Sequence, residues 1–208
     1  MRISAQRLCK HFGGPYVVRD FTYDFAAASR TAIAGPNGSG KSTLLRLLSG
    51  LLLPTSGETS FRESGNLVDT DQLYSQVSLC GPYTEMVEEL TGAEAVVLHA
   101  KLRGFRQNTS IEAVWERIGW ARRITKQPIK TYSSGMKQRL RLAVTLASTG
   151  SALLLDEPTS NLDAAGVEWY EHLLTDWCDN RTLIIASNES RDFVACGEKI
   201  TAAAWCSS

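Results

Sequence analysis

The chain has 208 residues, 43% of them hydrophobic, and its 22 Lys and Arg residues equal its 22 Asp and Glu residues. This length suits one domain with a sizeable core, and two independent domains would be cramped. Because the formal net charge is zero, no overall field draws the chain to nucleic acid or to an anionic membrane surface. We therefore expect no nucleic-acid partner, and local groups must hold any bound anion.

The apolar runs and the cysteines favour a cytoplasmic protein. Runs such as residues 51–53 and 152–155 are far shorter than the ~20 residues that span a bilayer. The first residues lack the apolar core of a secretory signal. The five cysteines include no C-x-x-C pair, and their odd number argues against a disulfide framework.

The first third of the chain is predicted to form strands around a glycine-rich turn. Three segments have strand character: residues 1–8, 17–25 and 31–34. The third runs directly into the turn, after which a helix is predicted over residues 41–48. Gly50 and Pro54 should end that helix.

The middle of the chain has a helical pattern from about residue 85 to residue 148. Thr91 and Thr109 are each followed three positions later by glutamate, which is typical of a capping box at a helix start. We therefore expect helices to begin at these two threonines, within a helical lobe inserted into the rest of the fold.

Strand character returns near the end of the chain. Residues 152–155 are continuously apolar and residues 182–186 are rich in β-branched side chains, as in strands covered on both faces. The apolar spacing of Val167, Tyr170 and Leu174 predicts a crossover helix between them. This succession indicates a largely parallel α/β core.

Residues 35–42, with the sequence GPNGSGKS, fit the phosphate-loop pattern G-x-x-x-x-G-K-[ST] between a predicted strand and a predicted helix. Glycines allow a tight turn with inward N–H groups, and the helix N-terminus attracts phosphate. Lys41 should reach the β- and γ-phosphates, Ser42 should ligate Mg²⁺, and Thr43 should contact the α-phosphate. The residues expected to bind nucleotide here are Gly35, Asn37, Gly38, Ser39, Gly40, Lys41, Ser42 and Thr43. The alternative is a glycine-rich surface turn.

Asp156 and Glu157 follow the buried strand at residues 152–155, at the edge where open α/β sheets bind ligands. We expect Asp156 to hold Mg²⁺ and Glu157 to polarise the water that attacks the γ-phosphate. Without the phosphate loop, a simple polar strand end would explain the two acids equally well.

Residues 132–139, with the sequence YSSGMKQR, precede an apolar helix and then the acidic strand. This motif resembles the signature loop of ATP-binding cassette (ABC) ATPases, although Tyr132 replaces the usual leucine and Met136 the usual glutamine. The resemblance spans roughly residues 2–204. A small-molecule kinase of the phosphate-loop class would leave this motif unexplained.

The resemblance implies an α/β P-loop NTPase with a mostly parallel core sheet, an N-terminal antiparallel β portion and an inserted helical subdomain. One ABC ATPase domain would cover residues 1–208. Its core would take about residues 1–84 and 149–208, and its helical subdomain about residues 85–148. The family's cofactors, ATP and Mg²⁺, are expected here.

The resemblance also implies a head-to-tail dimer in which Ser133 and Gly135 cap the nucleotide of the other subunit. Asp163 would end the loop that links the two sites, unless residues 158–163 are an ordinary turn into the next helix. Phe12 would stack on adenine, with Tyr16 as a substitute. Phe12 as part of the core is the alternative.

Two polar residues of the family are missing. Pro82 stands near the usual glutamine, and neither it nor its neighbours supply an amide. Asn188 stands where the family has a catalytic histidine, and an amide donates a hydrogen bond but carries no positive charge. We therefore expect ATP to close the dimer while turnover is slow or depends on a partner.

The family also implies an ATPase subunit that drives a separate transmembrane permease, which would hold it at the inner face of the cell membrane. Residues 82–102, with Tyr83, Met86, Val87 and Leu90, would line the groove for the permease. Small export systems are the nearest analogy, and the dimer would contain two copies or a second cassette. A soluble ATP-driven clamp on nucleic acid or ribosomes is the alternative function.

Overall fold

The computed structural model describes residues 1–206. The strands in this range are β1 (Arg2–His11), β2 (Tyr16–Phe25), β3 (Arg30–Ala34), β4 (Ser56–Glu63), β5 (Asn66–Leu67), β6 (Val77–Cys80), β7 (Ala152–Asp156), β8 (Thr182–Ser187) and β9 (Glu198–Thr201). The α-helices are α1 (Lys41–Leu48), α2 (Leu73–Gln76), α3 (Gly92–Arg103), α4 (Ile111–Ile118), α5 (Arg122–Thr125), α6 (Ser134–Ala147) and α7 (Ala164–Trp177). None of the helices in residues 1–206 has the length and apolar character needed to cross a bilayer.

The central sheet has five strands in the order β6-β7-β8-β3-β9, and every neighbouring pair is parallel. All residues of β7 and β8 are buried, which explains the apolar runs that predicted these strands. The predicted parallel α/β core is therefore confirmed.

A second sheet is antiparallel and has the order β2-β1-β4-β5, as expected for the N-terminal part of the chain. Strands β4 and β5 were not predicted from the sequence. Only Phe61 is buried in β4, and the other residues of this strand are partly or fully exposed. A polar strand of this kind takes its structure from pairing with β1, from Arg2 opposite Arg62 to Cys9 opposite Ser56.

The two capping predictions in the helical part had different outcomes. Thr91 caps α3 with the expected capping box, in which its side chain and that of Glu94 each bond the other's backbone N–H. The prediction for Thr109 was wrong, because Ser110 caps α4 by accepting a hydrogen bond from the Ala113 N–H. The helical pattern also starts later than expected, since residues 85–91 lie outside the helices.

Two hydrophobic clusters pack on opposite faces of the parallel sheet. Leu153 and Leu155 of β7 join the cluster beneath α3, α4, α6 and α7, whereas Leu154 joins the cluster formed with α1 and the antiparallel sheet. This alternation fixes β7 from both sides. Asp156, at the end of β7, and Glu157, directly after it, are therefore carried by a fully buried strand.

Candidate functional site

The predicted phosphate loop connects the carboxyl end of β3 to the start of α1. Gly38 and Gly40 have φ of 82° and 85°, in the left-handed region that favours glycine. A Cβ at Gly40 would lie 2.8 Å from the Val17 carbonyl oxygen, so this position has no room for a side chain. The glycine spacing of the motif is therefore a steric requirement of this turn.

Lys41 folds back over the phosphate loop. Its Nζ donates to the Gly35 and Pro36 carbonyl oxygens at 3.0 and 3.1 Å, and the side chain is buried. Within residues 1–206 the buried Ser39 hydroxyl has no hydrogen-bond partner. A buried cation, a free hydroxyl and a helix N-terminus converge on one concave turn, and this combination suits a phosphate group.

The segment after β9 supports this loop from behind. The Trp205 indole N–H donates to the Ser39 carbonyl oxygen at 2.6 Å, and the ring is fully buried with its edge against Phe21. A Cβ at Gly35 would meet the Ala202 Cβ at 3.0 Å. No motif or spacing in the sequence predicted this contact of Trp205 with the phosphate loop.

Asp156 ends β7 and is almost completely buried. In the part of the chain that the structure describes, neither of its carboxylate oxygens has a hydrogen-bond partner that meets geometric criteria. Burial raises the pKa of Asp156, and the nearby hydroxyls of Ser42 and Tyr83 act in the opposite direction. An unpaired buried carboxylate beside a hydroxyl is a suitable oxygen donor set for a divalent cation such as Mg²⁺.

Glu157 turns the chain out of β7 with a left-handed φ of 48°. One carboxylate oxygen, Oε1, lies 3.5 Å from Lys41 Nζ, and the other, Oε2, accepts a hydrogen bond from the Ser187 hydroxyl at 3.0 Å. The carboxyl ends of β7 and β8 therefore hold the Glu157 carboxylate beside the phosphate loop.

Asn188 also lies against the phosphate loop. It follows β8, and its Nδ2 donates to Asn37 Oδ1 at 3.2 Å. The structure thus brings together Lys41, Asp156, Glu157 and Asn188, although they come from separate parts of the sequence.

Tyr83, which was predicted only to line the permease groove, has its hydroxyl at this site instead. Neither Pro82 nor its neighbours supply an amide, but the Tyr83 hydroxyl is a polar group that lies buried beside Asp156. Burial raises the pKa of Tyr83 above its usual value, and the Asp156 charge adds to the effect. An aromatic residue with a polar tip just after a strand end was the only available signal.

The signature loop lies at the start of α6, where the Ser133 hydroxyl accepts a hydrogen bond from the Met136 N–H. A Cβ at Gly135 would lie 2.7 Å from the Asn161 carbonyl oxygen, so the loop packs tightly on the 158–163 segment. Together they line a cavity of about 330 Å³, formed by Ser133, Ser134, Gly135, Met136, Arg139, Asn161, Leu162 and Asp163. In the described residues, this cavity is separate from the phosphate loop.

Two further predicted residues have different surroundings. Asp163 is the N-cap of α7, and its Oδ1 accepts from the Gly166 N–H at 2.8 Å. Phe12 lies between β1 and β2 with 64% of its surface exposed, so the alternative that it belongs to the core was wrong. Tyr16 is also exposed. Both rings are accessible to a ligand.

Helix α6 connects the two sides of the site. The buried Gln138 side chain donates to the Pro158 carbonyl oxygen at 2.8 Å, just after Glu157. Arg141, one turn later, donates to Gln138 Oε1 at 3.0 Å and to the Gly81 carbonyl oxygen at 3.3 Å. Helix α6 therefore contacts both the loop that follows Glu157 and the turn that carries Tyr83.

Comparisons with known proteins agree with the motifs. The family model described as ABC transporter matches residues 18–160. The lantibiotic transport ATP-binding protein SrtF of Streptococcus pyogenes is 27% identical over 197 residues, which cover 89% of this chain and 80% of SrtF. The daunorubicin/doxorubicin resistance ATP-binding protein DrrA of Streptomyces peucetius is 34% identical over 166 residues. That match covers 77% of this chain and 49% of DrrA, so the chain spans about half the length of this relative.

The solved structures show the same fold. The dimeric structure of MJ0796, a bacterial ABC transporter cassette, aligns with a TM-score of 0.80 at 22% identity and covers 96% of this chain and 94% of that one. The predicted P-loop NTPase fold class is therefore confirmed. Since the family model covers more than half of its residues, the chain belongs to the ABC transporter ATP-binding family.

Proposed function

We propose that this chain is the ATP-hydrolysing subunit of an ABC exporter, which dimerises around Mg-ATP and drives a separate transmembrane permease. The observation that carries the proposal is the cluster at the sheet edge, where the Glu157 carboxylate lies 3.5 Å from Lys41 Nζ and next to the unpaired Asp156. A signature loop in a separate cavity supports the dimer. Residues 1–208 act as one ATPase domain with the helical part, about residues 85–148, inserted into the core.

In the proposed site, the phosphate loop binds the triphosphate. The backbone N–H groups of residues 35–43, Lys41 Nζ and the Ser39 hydroxyl surround the β- and γ-phosphates, and Thr43 contacts the α-phosphate. Phe12, which is exposed, stacks on the adenine ring. Lys41 must release its contacts with the Gly35 and Pro36 carbonyl oxygens to reach the phosphates.

Ser42 and Asp156 are the proposed ligands of Mg²⁺. The fit rests on the two buried, unpaired carboxylate oxygens of Asp156 and on the nearby Ser42 hydroxyl. When bound, Mg²⁺ neutralises charge that develops on the phosphate oxygens.

Glu157 is the proposed general base. Its position between Lys41 and Ser187 holds a carboxylate beside the γ-phosphate position, where it can accept a proton from the attacking water. Asn188 donates a hydrogen bond to the γ-phosphate in place of a histidine, so we propose that turnover is slow without a partner.

The proposed dimer is head to tail, with two copies of this chain or with a second cassette. Ser133 and Gly135 of one subunit then cap the γ-phosphate bound by the other, and Asp163 lies between the two sites. The separation of the signature cavity from the phosphate loop supports this arrangement. So does the dimeric structure of the MJ0796 cassette.

The proposed permease site is a cavity of about 350 Å³ in the helical part, bordered by Pro82 of the core and lined by Glu85, Met86, Glu88, Ile129, Lys137 and Arg141. Val87 lies in the sequence between the lining residues Met86 and Glu88, and 54% of its surface is exposed. Met86 and Leu90 pack partly on the hydrophobic cluster of the helical part. Docking there would hold the chain at the cytoplasmic face of the membrane. Export is favoured because SrtF is a lantibiotic transport protein and DrrA a drug resistance protein.

The partner prediction can be tested with a matched pair of valines. We expect Val87→Glu to abolish copurification of a multispanning membrane protein with the tagged chain from solubilised membranes, because it replaces an exposed apolar side chain beside the cavity with a charge that the partner would have to bury. Val194→Glu, at a valine that is 74% exposed just after the short 3-10 helix Ser190–Phe193, is the control and should retain the partner. Mass spectrometry identifies the bound proteins. Capture of ribosomal proteins instead of a membrane protein would support the clamp function and contradict the proposal.

The slow turnover can be tested at Asn188. We expect Asn188→His to raise the basal ATPase rate of the purified chain by about tenfold or more, because a histidine supplies a stronger donor to the γ-phosphate in the transition state. Asn66→His, at the exposed end of β5, is the control. An unchanged rate would show that Asn188 does not limit hydrolysis.

A further inference from the structure

Three buried polar atoms lie together at the edge of the proposed metal site. They are the Tyr83 hydroxyl and the two carboxylate oxygens of Asp156, and none has a hydrogen-bond partner of good geometry within residues 1–206. A Cβ placed on Gly81 would lie 3.3 Å from the Tyr83 hydroxyl and 3.0 Å from the Asp156 Cβ, so both side chains border the same small space. Buried polar atoms are rarely left unpaired, and a cluster of three indicates groups that act on one another or on a ligand.

Arg46 holds the Tyr83 ring in this position. Its guanidinium carbon lies 3.7 Å from the centre of the ring, which is close cation–π contact. Arg46 belongs to α1, the helix that begins with Lys41. Tyr83 therefore lies between the phosphate-loop helix and the acidic end of β7.

The turn that carries Tyr83 is fixed by its own hydrogen bonds. The Thr84 hydroxyl donates to the Gly81 carbonyl oxygen at 2.6 Å and accepts from the Gly81 N–H at 3.0 Å. Arg141 of α6 donates to the same carbonyl oxygen. The inward position of Tyr83 is thus set by contacts on both sides of the turn.

We propose that Tyr83 is a positioning residue: when Asp156 holds the metal, the Tyr83 hydroxyl donates a hydrogen bond to one Asp156 carboxylate oxygen and leaves the other oxygen for the metal. This inference rests on the proposed function, because it assumes that Asp156 holds Mg²⁺. A tyrosine hydroxyl has one proton to donate and Asp156 has unpaired oxygens to accept it. Partners of this kind orient metal ligands, and their loss typically weakens metal binding by roughly 10–100-fold.

If Tyr83 had a purely structural role, its substitution by phenylalanine should have a different effect. If the residue only fills space beneath Arg46, phenylalanine would serve equally well, because it retains the ring and loses only the hydroxyl. Tyr83→Phe therefore separates the two roles with little risk to folding. Tyr74→Phe is a matched control, since the Tyr74 hydroxyl donates to the Leu102 carbonyl oxygen away from this site.

The test is the affinity for Mn²⁺, used as a paramagnetic substitute for Mg²⁺, in the protein saturated with a non-hydrolysable ATP analogue. Electron paramagnetic resonance measures free Mn²⁺ directly and requires no turnover. We expect Tyr83→Phe to weaken Mn²⁺ binding by about tenfold or more, and Tyr74→Phe to leave it unchanged. Thermal unfolding of both variants checks that the fold is retained.

Two results would overturn the inference. Equal Mn²⁺ affinity in Tyr83→Phe and the unsubstituted chain assigns Tyr83 to packing alone, and tighter affinity in the variant shows that the hydroxyl obstructs the metal. If the unsubstituted chain binds the ATP analogue but no Mn²⁺, the proposed metal site itself is wrong. The failure of the inference is therefore distinguishable from the failure of the proposed function.

Discussion

Glu157→Gln is expected to lower the ATPase rate by roughly 10²- to 10⁴-fold, the usual contribution of a general base. Glutamine has nearly the same shape as glutamate and can still accept a hydrogen bond from the Ser187 hydroxyl. It cannot take a proton from water at neutral pH. ATP binding should persist, because Lys41 and the phosphate loop are unchanged.

The same variant should accumulate as an ATP-bound dimer. Light scattering after size-exclusion chromatography with Mg-ATP measures the dimer, and a phosphate-release assay measures the rate. Glu189→Gln is the control, since Glu189 pairs with the adjacent Arg191 at 2.5 Å and its backbone N–H contacts Ser187. Normal hydrolysis by Glu157→Gln would remove Glu157 from the role of base. A chain that stays monomeric with ATP, alone and with every candidate cassette, would contradict the dimer.

The second large effect is expected at Gly135. A methyl group there would lie 2.7 Å from the Asn161 carbonyl oxygen, so alanine must displace either the signature loop or the 158–163 segment. Overpacking of this kind costs about 1–3 kcal/mol. If that cost falls on the dimer, Gly135→Ala weakens dimerisation of the Glu157→Gln chain by roughly 5- to 150-fold.

Nucleotide binding by the monomer separates this effect from general damage. We expect the affinity of the Gly135→Ala monomer for ATP to be unchanged, because the signature cavity shares no residue with the phosphate loop in the described part of the chain. Gly197→Ala is the control, since a Cβ at Gly197 meets nothing within 4 Å. Loss of ATP binding by the monomer would show that the two loops act within one subunit.

The sequence predicted the features whose causes are local. The phosphate loop requires glycine at position 40 of the motif, because the backbone there is left-handed and has no room for a Cβ, so the motif was readable without any knowledge of the fold. The buried strands β7 and β8 were recognisable because both faces are apolar. These two observations were enough to place Lys41 and Glu157 at one edge of the sheet.

The features that were missed depend on partners remote in the sequence. The Tyr83 hydroxyl lies beside Asp156, and the Trp205 indole donates a hydrogen bond to Ser39. Strand β4 is held by its pairing with β1. None of these contacts leaves a periodic pattern or a spacing. The error at Thr109 has a different origin, because the adjacent Ser110 is an equally good cap and local propensity does not choose between them.

Helix α6 joins the Gly81 turn to the loop after Glu157 through Arg141 and Gln138. If nucleotide binding moves either segment, α6 moves with it. Nucleotide binding is then thermodynamically coupled to the binding of any partner that contacts the helical part. Linkage then requires symmetry: a permease that tightens ATP binding by some factor must itself be held more tightly by the ATP-bound chain, by the same factor. At equilibrium, the coupling through this helix therefore acts equally in both directions. Only the irreversible release of phosphate would give the ATPase cycle a direction.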